Sequence, residues 1–171
     1  MEMFIDLLKI LGPASLVLYA SYLMVRSLLK SRFDELMLEV KQRNKSISMP
    51  IRLQAYERIV LLLERTSPSN LIPRVNKKEM EATVLQHILV KEIRQEFNHN
   101  LAQQIYISQE AWSYVKAAIE DTITLINEAA MGLNDDDSSL ELAKKVLESS
   151  IKSDSINNAI SFMKEEIKDL F

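Results

Sequence analysis

The chain has 171 residues, 47% apolar and 26% charged, with a net charge of −3, two glycines and no cysteine. About a dozen glycines would be ordinary at this length, and glycine serves hairpins, bulges and phosphate loops, so the shortage argues against a sandwich, a barrel or a Rossmann-type sheet. Disulfides, thiolate metal sites and a cysteine nucleophile are excluded, and the near-neutral charge predicts no nucleic-acid partner.

Between Lys9 and Arg26 lie sixteen uncharged residues, ILGPASLVLYASYLMV. A spanning helix needs about 20. Phe4, Ile5, Leu7 and Leu8 extend the stretch on one side, Leu28 and Leu29 on the other. Lys9 and Arg26 can snorkel, with their heads in the interface. Pro13 falls in the first turns, where a missing N–H costs least. Tyr19 and Tyr22 lie inside the span and do not form an interface belt. A cleaved signal peptide would begin basic, whereas Glu2 and Asp6 are acidic, and no A-x-A site follows. A buried core helix is the remaining reading, weakened because the segment is apolar around its whole circumference. The sequence therefore predicts a transmembrane anchor over residues 1–30 that meets the lipid bilayer through residues 4–29. Only Lys9 precedes the span, while Arg26, Lys30, Arg32, Lys41, Arg43 and Lys45 follow it. By the positive-inside rule the N-terminus is outside the inner (cytoplasmic) membrane and the rest is cytoplasmic.

Residues 31–49 read as a juxtamembrane helix and linker. Leu29, Phe33, Leu36 and Val40 are spaced 4-3-4, an a/d-type seam. Two heptads are too few to claim a coiled coil, and packing against the protein's own domain explains the seam at least as well. NKSISM, residues 44–49, loses the pattern and reads as a link, and Pro50 suits a first helical position. Residues 50–171 then form a cytoplasmic helical domain. Its first helix covers 51–66, with an apolar run from Ile59 to Leu63 that predicts contact on several sides. PSNLIPRVN reads as a loop in which Pro73 prevents regular helix. Asn76 with Glu79 is a capping signature for a helix reaching about Tyr106. Ser108 caps the next helix, whose stripe is Trp112, Val115, Ile119, Thr122, Ile126 and Ala129, with Gly132 as its stop. After an acidic loop, Asn134 to Asp137, Ser138 and Glu141 open a helix through Leu140, Ala143 and Leu147. A last helix carries Ile156, Ile160, Met163, Ile167 and Leu170. The predicted fold class is all-α: a transmembrane helix continuing into a short stalk, then a bundle of about five helices.

Residues 86–106, QHILVKEIRQEFNHNLAQQIY, hold both histidines. Glu92, Glu96, His99 and Gln103 fall on one narrow stripe. If buried, these carboxylates need partners, and Arg52 and Arg58 on the preceding helix are the natural ones. The other reading is a solvated face. Glu96-x-x-His99 has the spacing of di-iron bundles, but its second half is missing, since Val84 stands three residues before His87. Asp135, Asp137 and Ser139 begin like a calcium loop, but Leu140 and Val146 stand where glycine and glutamate are required. Gly12 and Gly132 cannot build a phosphate loop. No cofactor is expected. The juxtamembrane positives are interleaved with Asp34, Glu35 and Glu39 and read as topology-setting charge.

The segments IRLQAYERIVLLLERTSP, EFNHNLAQQIYIS, AW, INEAA and EEIKDLF resemble an uncharacterised family of short bacterial, Bacteroidetes-type, membrane-anchored proteins over nearly the whole chain. The resemblance implies a single-span helical protein and supplies no activity or cofactor. It draws attention to Tyr56, Glu57, Arg58, Glu96, Asn98, His99, Asn100, Gln103, Gln104 and Tyr106. The expected polar network or partner surface is Arg52, Tyr56, Arg58, Glu92, Glu96, His99 and Gln103. The function expected is a membrane-tethered cytoplasmic adaptor or scaffold, not an enzyme, that binds another protein or a second copy of itself. One alternative is a metal-binding bundle enzyme using Glu96 and His99. Another is a stalk-like accessory subunit of a membrane complex, opposed by Pro50, Pro68 and Pro73 as helix breakers.

Overall fold

The computed structural model describes residues 1–134 and 137–168, with Leu7, Leu8 and Ile10 described by backbone alone. Its helices are α1 (Glu2–Thr66), α2 (Pro68–Val75), α3 (Ala82–Asn100), α4 (Gln109–Met131), α5 (Ser139–Lys152) and α6 (Ser155–Lys168). A short 3-10 helix, Leu101–Ile105, follows α3. No strand occurs among the described residues, only an antiparallel bridge between Glu81 and Ser138. The fold is all-α, a long N-terminal helix followed by a helical bundle. The chain divides into two compact units, Met1–Met49 and Pro50–Phe171.

In the first unit, α1 contains an 18-residue window of mean hydropathy 1.6, none of it buried. By length and composition it can cross a membrane. The expected link over 44–49 and helix start at Pro50 are not found, because α1 runs on through both. An interior proline costs about 3 kcal/mol and one backbone hydrogen bond, yet nothing in NKSISM ends a helix. Ser46 turns its hydroxyl onto the Arg43 carbonyl at 2.8 Å, a bond that helical geometry accommodates. Pro50 instead coincides with the boundary between the units.

The second unit is built on two hydrophobic clusters that share α4. In one, Ala55, Tyr56, Ile59, Leu62 and Leu63 of α1 pack with Trp112, Val115 and Ala118 of α4 and with Ala159, Ile160 and Met163 of α6. In the other, Leu71 and Ile72 of α2 and Leu85, Leu89 and Ile93 of α3 pack with Ile119 and Ile126 of α4 and with Leu142, Ala143 and Val146 of α5. The predicted α4 stripe is therefore the spine of the bundle. Its threonine is satisfied, since the Thr122 hydroxyl donates to the Ala118 carbonyl at 2.7 Å. Phe97 borders both clusters and stacks on Trp112 with ring centroids 5.4 Å apart.

Several boundaries differ from the sequence reading. PSNLIPRV is helix α2, with Pro68 at its start and Pro73 inside it. Burial of Leu71 and Ile72 offsets the missing bond. Helix α3 begins at Ala82, not after Asn76, because the backbone reverses at Glu79, where φ is +67°. There the first turns of α3 and α5 bond to each other: Ala82 N–H donates to the Asp137 carbonyl at 2.8 Å and Ser139 N–H to the Met80 carbonyl at 2.9 Å. Of the run Ile59 to Leu63, all but Leu61 are buried or packed against the first cluster. In α5, Leu140 is exposed and Leu142 takes the inward place. Ser108 and Ser138 cap α4 and α5 as predicted. Gly132 caps the C-terminus of α4, and Lys145 of α5 donates to its carbonyl at 2.8 Å. Asp135 and Asp136 of the acidic loop, and Leu170, lie outside the described residues.

Trp112→Ala empties the space between α1, α4 and α6 and removes the Phe97 stack. We expect a loss of about 3–5 kcal/mol and a fall in Tm of on the order of 10–20 °C, followed by circular dichroism of the full chain.

Candidate functional site

Two polar groupings contain the residues singled out in the sequence. The first lies where α1, the start of α4 and α6 meet. Tyr56 projects from α1 into the core and is fully buried, and its hydroxyl makes no hydrogen bond. Glu166 of α6 accepts from the Ser108 hydroxyl at 3.1 Å. The same Ser108 oxygen accepts the Ala111 N–H at 3.0 Å, so the cap of α4 is tied to α6. Arg52 donates from Nε to the Tyr106 carbonyl at 3.1 Å and holds α1 to the turn before α4. Burial foremost, then the Glu166 carboxylate, pushes the Tyr56 phenol up to about 12, partly opposed by Arg52. Three of the segments carrying the family resemblance, around Tyr56, Tyr106–Ser108 and Glu166, thus converge here.

The second grouping lies along α3. Leu85, Leu89 and Ile93 form its buried edge, and Glu92 and Glu96 are half-buried beside it. The partners of these carboxylates are not Arg52 or Arg58. Glu96 pairs with Arg65 at 3.3 Å and Glu92 with Arg74 at 3.9 Å. Arg58 is exposed. Sequence spacing could not pair Arg65 with Glu96, because the helix hairpin that joins them depends on α2, which the prolines disguise. His99 is exposed, and with Arg65, Glu92, Gln95 and Glu96 it lines an open recess of about 390 Å³. Gln103, half-buried in the 3-10 helix, accepts the Tyr106 N–H at its carbonyl, 3.0 Å away. Asn100 is buried and donates to the Glu96 carbonyl at 2.9 Å, which caps the end of α3. Half of the stripe, Glu92 and Glu96, therefore forms a pair of charge pairs bordering a core. Among the described residues no three His, Asp or Glu side chains gather to hold a metal ion.

Exposure decides how much these pairs are worth. The Arg65 side chain is 55% exposed and that of Glu96 is 23% exposed, a setting in which ion pairs contribute about 0–1 kcal/mol. A double-mutant cycle of Arg65→Ala and Glu96→Ala should give a coupling below about 1 kcal/mol that shrinks in high salt. The Tyr56 hydroxyl behaves differently. An unbonded buried hydroxyl costs desolvation free energy, so Tyr56→Phe should leave stability at pH 7 unchanged or raise it by about 1 kcal/mol. The folded chain holds the phenol proton more tightly than the unfolded chain. Stability from this group is therefore complete below pH ~10 and lost as pH rises through ~12. Denaturant titrations at pH 8 and 11 should show that loss in the natural chain and a smaller one in Tyr56→Phe.

No curated protein and no solved structure matches the chain. The model of a family of unknown function (DUF7935) matches residues 2–170, and the chain belongs to that family.

Proposed function

We propose that the protein is a membrane-tethered helical module whose C-terminal bundle stands in the cytoplasm as an adaptor or scaffold for another protein. The carrying observation is the apolar, uncharged stretch between Lys9 and Arg26 within α1, followed by an excess of lysine and arginine. Arg52, Ser108, Glu166, Glu92 and Glu96 are engaged in caps and pairs that join helices, so we assign them architecture and give the module no chemistry of its own. The row of Arg65, Glu92, Glu96 and His99 offers a partner a charged, open surface.

A second reading, a stalk-like accessory subunit of a membrane complex, is favoured by one observation. Pro50 does not end α1, which continues from Glu2 to Thr66. A stalk subunit would co-purify with its complex at fixed stoichiometry from gently solubilised membranes, whereas an adaptor would be recovered with a separable partner.

Alkaline carbonate should leave the chain in the membrane pellet, and protease added to intact spheroplasts should spare residues 50–171. Release by carbonate would overturn the tether, and digestion of the bundle would reverse the orientation.

A further inference from the structure

We propose that two copies of the chain pair in parallel along α1 between Leu29 and Ile47, an inference that rests on reading the start of α1 as a membrane anchor. Leu29, Phe33, Leu36 and Val40 repeat at 4-3-4. Because the helix continues without a link over 44–49, Ile47 falls one heptad after Val40. At 100° per residue the five side chains lie within an arc of about 60°. Each is more than half exposed. Asp34, Lys41 and Lys45 lie on the far half of the helix, and Lys30 flanks the seam. Arg43 takes the one charged place in the seam, and a single such residue fixes register at some cost in stability.

Lipid accounts for Leu29 alone, at the start of this face. Residues 31–49 continue the spanning helix at about 1.5 Å per residue, which carries the seam some 28 Å beyond the apolar stretch. A second copy fits it. Two chains anchored in one bilayer in the same sense are held parallel. In register, each apolar seam residue then meets its own counterpart. At the flanks, Arg32 comes beside Met37 of the second copy and Glu39 beside Asn44, so Arg43 meeting its own counterpart is the one like-charge contact along the seam. Fewer than three heptads are marginal in water, and confinement by the anchors supplies the effective concentration the seam needs.

The chain has no cysteine, so one introduced thiol reports alone. Leu36→Cys and Val40→Cys lie on the seam, while Ser31→Cys and Leu38→Cys lie on the far side. With the full chain in membranes, mild oxidation should give disulfide dimers at 36 and 40 in at least about tenfold the yield at 31 and 38, because only the seam brings like positions within disulfide reach. Phe33→Asp added to Leu36→Cys should cut that yield about tenfold with the bundle's circular dichroism unchanged. Equal yields at all four positions, no dimer at 36 and 40, or indifference to Phe33→Asp would each overturn the pairing. Carbonate extraction of the same samples separates the two ideas: release refutes the anchor, and the yields at 36 and 40 still decide the pairing.

Discussion

The bundle depends on the burial of α4 along two neighbouring faces. Trp112, Val115 and Ala118 complete the cluster with α1 and α6, while Ile119 and Ile126 complete the one with α2, α3 and α5. A stripe spaced near 3.5 residues on a helix of 3.6 drifts by about 20° per heptad, so it can turn from one set of neighbours to the other along its length. The ends of α4 are held by its neighbours too. Glu166 of α6 reaches its first turn through Ser108, and Lys145 of α5 reaches its last carbonyl at Gly132. A carboxylate at the N-terminus and an ammonium at the C-terminus both match the helix dipole.

That arrangement explains where the sequence is readable. The stripe from Trp112 to Ile126 and the caps Ser108 and Ser138 are local signals, and each falls where the structure has it. Proline misleads twice. Pro50 and Pro73 lie inside helices because burial or flanking helix outweighs one missing hydrogen bond. Asn76 and Glu79 imitate a cap, but the true start at Ala82 is set by backbone bonds to residues more than fifty positions away. Spacing within one element cannot reveal such a pairing.

The polar residues follow the same division. That Glu92 and Glu96 need partners is a matter of charge and burial, and the sequence states it. Which arginines answer depends on the path of the chain after Thr66, and Arg65 and Arg74 become neighbours only once α2 is a helix. Around Tyr56 the short segments AYER, IYIS and EEIK, remote in the chain, are brought to one place by the packing of α1, α4 and α6. Of their polar side chains, Ser108 and Glu166 bond to each other and tie the start of α4 to α6.

The chain has one tryptophan, and that residue sits on the helix shared by both clusters, stacked on Phe97. Emission excited at the red edge of the protein's absorption therefore arises from a single indole at the centre of the bundle. The spectrum is a local gauge: its maximum and quenching follow the packing of α1, α3, α4 and α6 and carry no direct signal from the apolar stretch near the N-terminus. The molecule has a built-in optical probe that separates the state of its core from the state of its N-terminal stretch.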